Sequence, residues 1–164
     1  MAKDNRLYTL VKTTSKFPKG IRSTLWSKAF GRVVPMVGTA NIRYLEVDKD
    51  HVTVHIENQR NMQNHIKGVH AAAMALLAET ATGFLTGLHV PDDRILLIKS
   101  LHVDYLKVAQ GGLTATATLS ADQQKFIANN EKGELLIPVT VIDDSANEPI
   151  QCQMLWAWLP KRKK

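Results

Sequence analysis

Residues 71–88 read AAAMALLAETATGFLTGL and carry the strongest structural signal in the sequence. Glu79 is the only ionisable residue in this segment, and apolar or small side chains occupy almost all of the remaining positions. A helix without a polar face has to be buried on most of its sides. We therefore predict a central helix over residues 71–88 that the rest of the chain covers.

Strand-like segments lie on both sides of this helix in the sequence. Before it, residues 40–44 and 52–56 alternate between apolar and polar side chains around Asp48-Lys49-Asp50, a pattern typical of a β-hairpin. Four more segments follow the helix and are separated by turn-forming residues: 95–108, 113–119, 135–142 and 151–159. Strands and helices do not alternate, which disfavours a parallel sheet. The sequence predicts an α+β domain in which a curved antiparallel β-sheet wraps a long central α-helix.

The N-terminal segment predicts one additional helix. Residues 20–37 carry apolar side chains at roughly helical spacing, with Pro35 near the end. A chain of 164 residues fits one domain. We predict a single domain over residues 1–164, with a helical extension over about 1–37 and a basic tail over 160–164.

Composition excludes several classes of protein, among them disulfide-rich and membrane-spanning proteins. Apolar residues make up 45% and charged residues 22%, as in soluble globular proteins. The single cysteine, Cys152, excludes an internal disulfide framework and a multi-cysteine zinc site, and we predict no bound metal. No apolar run reaches the ~18 residues of a membrane span, and the N-terminus lacks a secretory apolar segment, so we expect a cytoplasmic protein. The net charge of +6 suits a polyanionic partner, but the 6% of aromatic residues form no RNA-reading signature, which argues against nucleic acid.

Glu79 is the most informative single residue. An unpaired buried carboxylate costs several kcal/mol, a cost that proteins usually offset with a raised pKa or specific partners. Small residues share its helical face, among them Ala72, Ala75 and Gly83, and leave space for a ligand or for another chain. Two interpretations stay open: a structural carboxylate bonded to a loop or partner subunit, and a catalytic one.

The residues before the helix form a second candidate feature. Free N–H groups at a helix start can stabilise a developing oxyanion, and alanine at position 71 leaves room for a substrate carbonyl. Gly68 permits a tight turn, and the amide of Asn64 could orient a water molecule. Each residue alone, His70 included, more often shapes or caps the helix start.

The stretch NHIKGVHAAAMALLAETATGF resembles the helix motif of PaaI-like hotdog-fold acyl-CoA thioesterases. The matching positions are Asn64, His70, Ala71, Ala72 and Glu79. The resemblance extends over roughly residues 40–159 and includes the strand pair that contains YLKVA at 105–109. It is closest to a branch described as tetrameric acyl-CoA thioesterases, which has an N-terminal helix. The sequence departs from the family pattern in a loop glycine displaced by one position and in Val108, where proline is frequent.

The resemblance implies hydrolysis of acyl-CoA to a free acid and coenzyme A, with no separate cofactor. Glu79 would activate water or attack the carbonyl, the N–H of Ala71 would polarise that carbonyl, Asn64 would hold the water, and His70 would belong to the catalytic helix start. The remaining substrate-binding residues expected at this site are Gly68, Ala72, Thr80 and Gly83. In this family the carboxylate and the oxyanion donor come from different subunits, so the resemblance implies a homodimer or a homotetramer.

Two alternatives remain. Hotdog folds also include (3R)-hydroxyacyl-thioester dehydratases, whose His and Glu lie fourteen residues apart, as His65 and Glu79 do. Ile66-Lys67 stands here where the dehydratase motif has Phe-Pro. The other alternative is a non-catalytic module that binds acyl thioesters or supports an oligomer.

Overall fold

The computed structural model describes residues 5–162, so residues 1–4 of the predicted extension and residues 163–164 of the predicted basic tail lie outside it. Its helices are α1 (Arg6–Thr14), α2 (Lys19–Val33), α3 (Pro35–Thr39), α4 (Ala71–Gly87) and α5 (Ala121–Asn129). Its strands are β1 (Arg43–Val47), β2 (His51–Ile56), β3 (Arg94–Tyr105), β4 (Leu113–Thr118), β5 (Gly133–Ile137), β6 (Val139–Asp143) and β7 (Ile150–Pro160).

The predicted central helix is α4, and it is largely buried. Leu77 and Leu85 are fully buried on it, and α4 packs against strands of both sheets. The helix begins after His70, whose Nδ1 accepts a hydrogen bond from the Ala72 N–H at 3.1 Å. This side-chain acceptor satisfies one of the donors that every helix start leaves unpaired.

Two antiparallel sheets curve around α4. Their strand orders are β1-β2-β4-β6 and β3-β7-β5. The sequence predicted one strand over residues 135–142, but Pro138 divides it, because proline has no N–H for a continuous ladder. β5 pairs with β7 and β6 pairs with β4, so residues 133–143 lead directly from one sheet to the other. The expected antiparallel wrapping of a central helix is confirmed, with the strands divided between two sheets.

The predicted hairpin is formed by β1 and β2. Val52, Val54 and Ile56 are fully buried and face the core, while the residues between them lie on the opposite face. Side chains in a strand alternate between faces, so this register places β2 directly on the helix.

The N-terminal extension contains more helices than expected. The helix predicted over residues 20–37 is divided at Pro35: α2 ends at Val33, and Pro35 begins the separate helix α3. Proline breaks a helix interior but fits the first turn of a helix. Helix α2 lies along β1. The Ser23 hydroxyl donates to the Tyr44 carbonyl at 2.6 Å, and the Tyr44 N–H donates to the Ser27 hydroxyl at 2.9 Å.

Helix α1 lies within the predicted helical extension, although no separate helix was predicted there, and α5 was not predicted. The side chain of Asn5 accepts a hydrogen bond from the Tyr8 N–H and donates to the carbonyls of Gly87 and Val90, which joins α1 to the end of α4. Helix α5 begins with a reciprocal capping box between Ser120 and Gln123. The sequence pattern Ser-x-x-Gln could have predicted this helix start.

Candidate functional site

A cavity of about 280 Å³ lies beside Glu79, between α4 and the N-terminal helices. Helices α1 to α3 form one wall, and strands β1, β3 and β7 contribute to the others. The lining residues are Leu7, Phe30, Val33, Val34, Val37, Tyr44, Glu79, Thr80, Gly83, Phe84, Gly87, Leu96 and Trp156. Most are apolar, so the cavity suits a largely apolar ligand that meets one carboxylate.

The Glu79 side chain is half-buried and forms no hydrogen bond or ion pair with any of residues 5–162. Burial raises the pKa of its carboxyl group above the ordinary value, because a low-dielectric environment disfavours the charged form. A raised pKa makes the ionised carboxylate a stronger proton acceptor near neutral pH. A carboxylate placed in this way can accept a proton from a water molecule in the cavity.

Two hydroxyl groups in the same cavity are unpaired within the described chain. Thr80 is 6% exposed and Tyr44 is 2% exposed, and neither hydroxyl has a hydrogen-bond partner there. Burial, together with the nearby charge of Glu79, raises the pKa of the Tyr44 phenol, which stays protonated. Sequence reasoning missed Tyr44; the available signal was a tyrosine at an inward-facing hairpin position, where its hydroxyl needs a partner.

The start of α4 leaves one backbone donor free. The Ala72 N–H donates to the His70 side chain, and the N–H groups of Ala73 and Met74 donate to the His70 carbonyl at 2.8 and 3.0 Å. The Ala71 N–H has no acceptor among residues 5–162. This free donor is the group that the sequence predicts for an oxyanion site.

The loop before α4 is organised by Asn64. Its Oδ1 accepts hydrogen bonds from the N–H groups of Ile66 and Gly68 at 3.0 and 3.1 Å. The left-handed residue of the loop is Lys67, with φ of 63°, and not Gly68. A β-carbon at Gly68 would meet its nearest atoms at 3.8 Å. The turn therefore does not require glycine at position 68, either for its backbone conformation or for lack of space.

The predicted site residues fall into two groups along α4. Glu79, Thr80 and Gly83 line the cavity, whereas Ala71 lies at the helix start. Glu79 lies eight positions after Ala71 in the α-helix, which is roughly 12 Å along the axis. Within one chain, a single carbonyl group cannot contact both.

The loop-side group lies at the N-terminal end of α4. It consists of Asn64, Gly68, His70, Ala71 and Ala72. A second cavity of about 220 Å³ lies here and is lined in part by His70, Ala72 and Leu76. His65 is exposed in the loop and does not line the Glu79 cavity of its own chain.

No group of three or more His, Cys, Asp or Glu side chains within residues 5–162 is arranged to hold a metal ion. Over the same range, no helix combines the length and the apolar character needed to cross a bilayer.

Residues 22–159 match the family model described as a domain of unknown function, DUF4442. The chain belongs to the DUF4442 family. No curated protein matches the chain.

Several solved structures are similar. One is a protein of unknown function from Pseudomonas aeruginosa, described as a probable thioesterase. It matches with a TM-score of 0.73 at 17% identity, and the match covers 88% of this chain and 97% of that chain. A thioesterase from Haemophilus influenzae has a TM-score of 0.65 at 13% identity, with coverages of 88% and 92%. A thioesterase from Staphylococcus aureus, solved as a mutant, has a TM-score of 0.66 at 15% identity, with coverages of 77% and 99%. At these identities the likeness concerns the fold, and it confirms the predicted hotdog fold.

Proposed function

We propose that this DUF4442 protein hydrolyses thioesters and that its substrates are acyl-CoA molecules. The observation that carries the proposal is an unpaired carboxylate, Glu79, in the wall of an otherwise largely apolar cavity. The free N–H of Ala71 supports it, since ester and thioester hydrolysis needs a donor for the developing oxyanion. The descriptions of similarly folded proteins as thioesterases agree with it.

In the proposed reaction, Glu79 accepts a proton from a water molecule as the water oxygen attacks the thioester carbonyl carbon. The carbonyl oxygen becomes an oxyanion that accepts a hydrogen bond from the Ala71 N–H. Collapse of the tetrahedral intermediate breaks the carbon–sulfur bond, and the thiolate of coenzyme A leaves and takes up a proton. Direct attack by the Glu79 carboxylate is the covalent variant, with an anhydride that water then opens.

The site is proposed to form between two subunits. Because Ala71 and Glu79 are roughly 12 Å apart in one chain, the oxyanion donor for one Glu79 would come from a second copy. The face of α4 that carries Glu79 is incompletely covered: Ala72 is exposed, and Ala75, Leu76 and Gly83 are half-buried. Small residues on this face would let a second α4 approach closely.

The charge of the protein and the size of the cavity are consistent with an acyl-CoA. The net charge of +6 favours the polyanionic phosphate end of coenzyme A. The volume of about 280 Å³ corresponds to roughly nine water-sized volumes. We therefore expect an acyl group of medium length, or an aryl group, to fill it.

A hydrolysis screen over short, medium, long and aryl acyl-CoAs tests the proposal. The wild type should release free thiol from at least one class, and Glu79→Gln should lose roughly 10²–10⁴-fold in turnover. Glu131→Gln, the same substitution at an exposed position, is the matched control and should leave turnover unchanged. Glu79→Gln activity equal to that of the wild type would show that the carboxylate is structural. Acyl-CoA binding without hydrolysis in the wild type would favour a binding module.

A further inference from the structure

Three polar groups of the Glu79 cavity have no hydrogen-bond partner among residues 5–162: the Glu79 carboxylate and the hydroxyls of Tyr44 and Thr80. The walls from α1, α2, α3, β3 and β7 contribute only apolar side chains to the cavity. Glu79 and Tyr44 are therefore the titratable groups that line it.

Thr80 differs from the other threonines buried in the same helix. The hydroxyl of Thr82 donates to the Ala78 carbonyl at 2.9 Å, and that of Thr86 donates to the Thr82 carbonyl at 2.7 Å. A helical threonine ordinarily satisfies its hydroxyl in this way. The Thr80 hydroxyl has no such partner, although an unsatisfied buried hydroxyl is unfavourable. A partner for it is expected inside the cavity.

Tyr44 is held through its backbone and its ring, but not through its hydroxyl. Helix α2 binds its backbone through Ser23 and Ser27, as described above. Its ring packs against Phe30 and Phe84, with ring centroids 5.1 and 4.8 Å away. A ring this restrained presents its phenol at a constant place in the cavity wall.

A carboxylate in an apolar cavity needs hydrogen-bond donors to stay ionised. We propose that the hydroxyls of Tyr44 and Thr80 are these donors, and that both act as positioning residues that orient the Glu79 carboxylate. Neither hydrogen bond to the Glu79 carboxylate is present in the described conformation. Each bond would form after a rotation of the Glu79 side chain or through one bridging water. The phenol remains a donor at neutral pH, because burial and the Glu79 charge both keep it protonated. The importance of this arrangement for catalysis rests on the proposed function, but the hydrogen bonds do not.

The test measures the Glu79 pKa directly, by NMR titration of ¹³C-labelled glutamate side chains assigned with Glu79→Gln. Tyr44→Phe removes only the phenol oxygen, and Thr80→Val is nearly isosteric. Each should raise the Glu79 pKa, since a lost donor destabilises the ionised form, by about one pH unit for Tyr44→Phe. Thr86→Val is the matched control, because its hydroxyl is bonded to the helix backbone and lies outside the cavity.

The acid limb of the pH–rate profile should move upward by the same amount in Tyr44→Phe and Thr80→Val. A shift in both variants no larger than that of Thr86→Val would overturn the proposal. The titration also separates the two proposals. A Glu79 shift in a protein that hydrolyses no thioester would refute only the proposed function, and hydrolysis without a shift would refute only this inference.

Discussion

The indole ring of Trp156 lies so close to Gly83 of α4 that a β-carbon at position 83 would overlap two of the ring carbons. The same indole donates its Nε1–H to the Thr82 hydroxyl at 2.9 Å, which fixes the ring over the helix. Gly83 therefore serves the packing of β7 on α4 as well as lining the cavity.

Gly83→Ala should destabilise the protein. Overpacking against Trp156 costs about 1–3 kcal/mol, and the better helix propensity of alanine returns about 0.5–1 kcal/mol. We expect a net loss of about 1–2 kcal/mol in the free energy of unfolding, measured by urea denaturation. Gly68→Ala, at a loop glycine with room for a β-carbon, should change it by less than about 0.5 kcal/mol. Equal stability of the two variants would contradict the packing.

Asn64 has a structural part and a proposed catalytic part that two substitutions separate. Its Oδ1 organises the loop through Ile66 and Gly68, whereas its amide nitrogen is left to hold water. Asn64→Asp keeps the acceptor and removes the donor, so stability should be retained while hydrolysis falls roughly tenfold. Asn64→Ala should lose activity and about 1 kcal/mol of stability. If Asn64→Asp hydrolyses substrate at the wild-type rate, the residue serves only the loop.

The raised pKa of Glu79 predicts a pH-dependent stability. The folded state holds the proton to a higher pH than the unfolded state, so the unfolding free energy falls as pH rises from about 4.3, the ordinary glutamate value, through the raised value. Glu79→Gln should therefore be more stable than the wild type at neutral pH, with the difference vanishing below pH of about 4. Thermal unfolding across pH measures it, with Glu131→Gln as the control. A Glu79→Gln variant that is less stable than the wild type at neutral pH would contradict a raised Glu79 pKa in the folded state.

Periodicity and charge predicted the centre of the fold well. Helix α4 was predictable because it lacks a polar face, and β2 because Val52, Val54 and Ile56 alternate with polar residues. The separate helix α1 was not predictable in its position, since Asn5 joins it to carbonyls more than 80 residues away. The division of β5 from β6 was readable at Pro138 but depends on which strand each half joins.

The candidate site was predictable only where chemistry is local in the sequence. Glu79 is conspicuous as the one charge in an apolar helix, and Ala71 as the residue at its start. The positions of Tyr44 and Phe30 in the cavity wall follow from the packing of α2 on β1. No spacing in the sequence connects these two residues to Glu79.

A proline substitution can remove the backbone N–H of Ala71 without removing any functional side chain. Ala71 is the first residue of α4 and follows an extended residue, a position where proline is well tolerated. Ala71→Pro should lower the turnover roughly 10²–10³-fold, as expected for an oxyanion donor. Ala121→Pro, at the first position of α5 after Ser120, is the matched control and should hydrolyse substrate normally. Wild-type turnover by Ala71→Pro would exclude this N–H from the reaction.

The most direct test of an active site shared between subunits combines the two inactive variants in one oligomer. Ala71→Pro and Glu79→Gln chains, co-expressed with different affinity tags, are purified in tandem so that only hybrids remain. In a hybrid dimer, one site receives its carboxylate from the Ala71→Pro chain and its N–H from the Glu79→Gln chain. If Glu79 and Ala71 act on one thioester across a subunit boundary, the hybrid should recover about half of the wild-type turnover. A hybrid as inactive as its two parents would show that Glu79 and Ala71 do not act on one thioester across a subunit boundary.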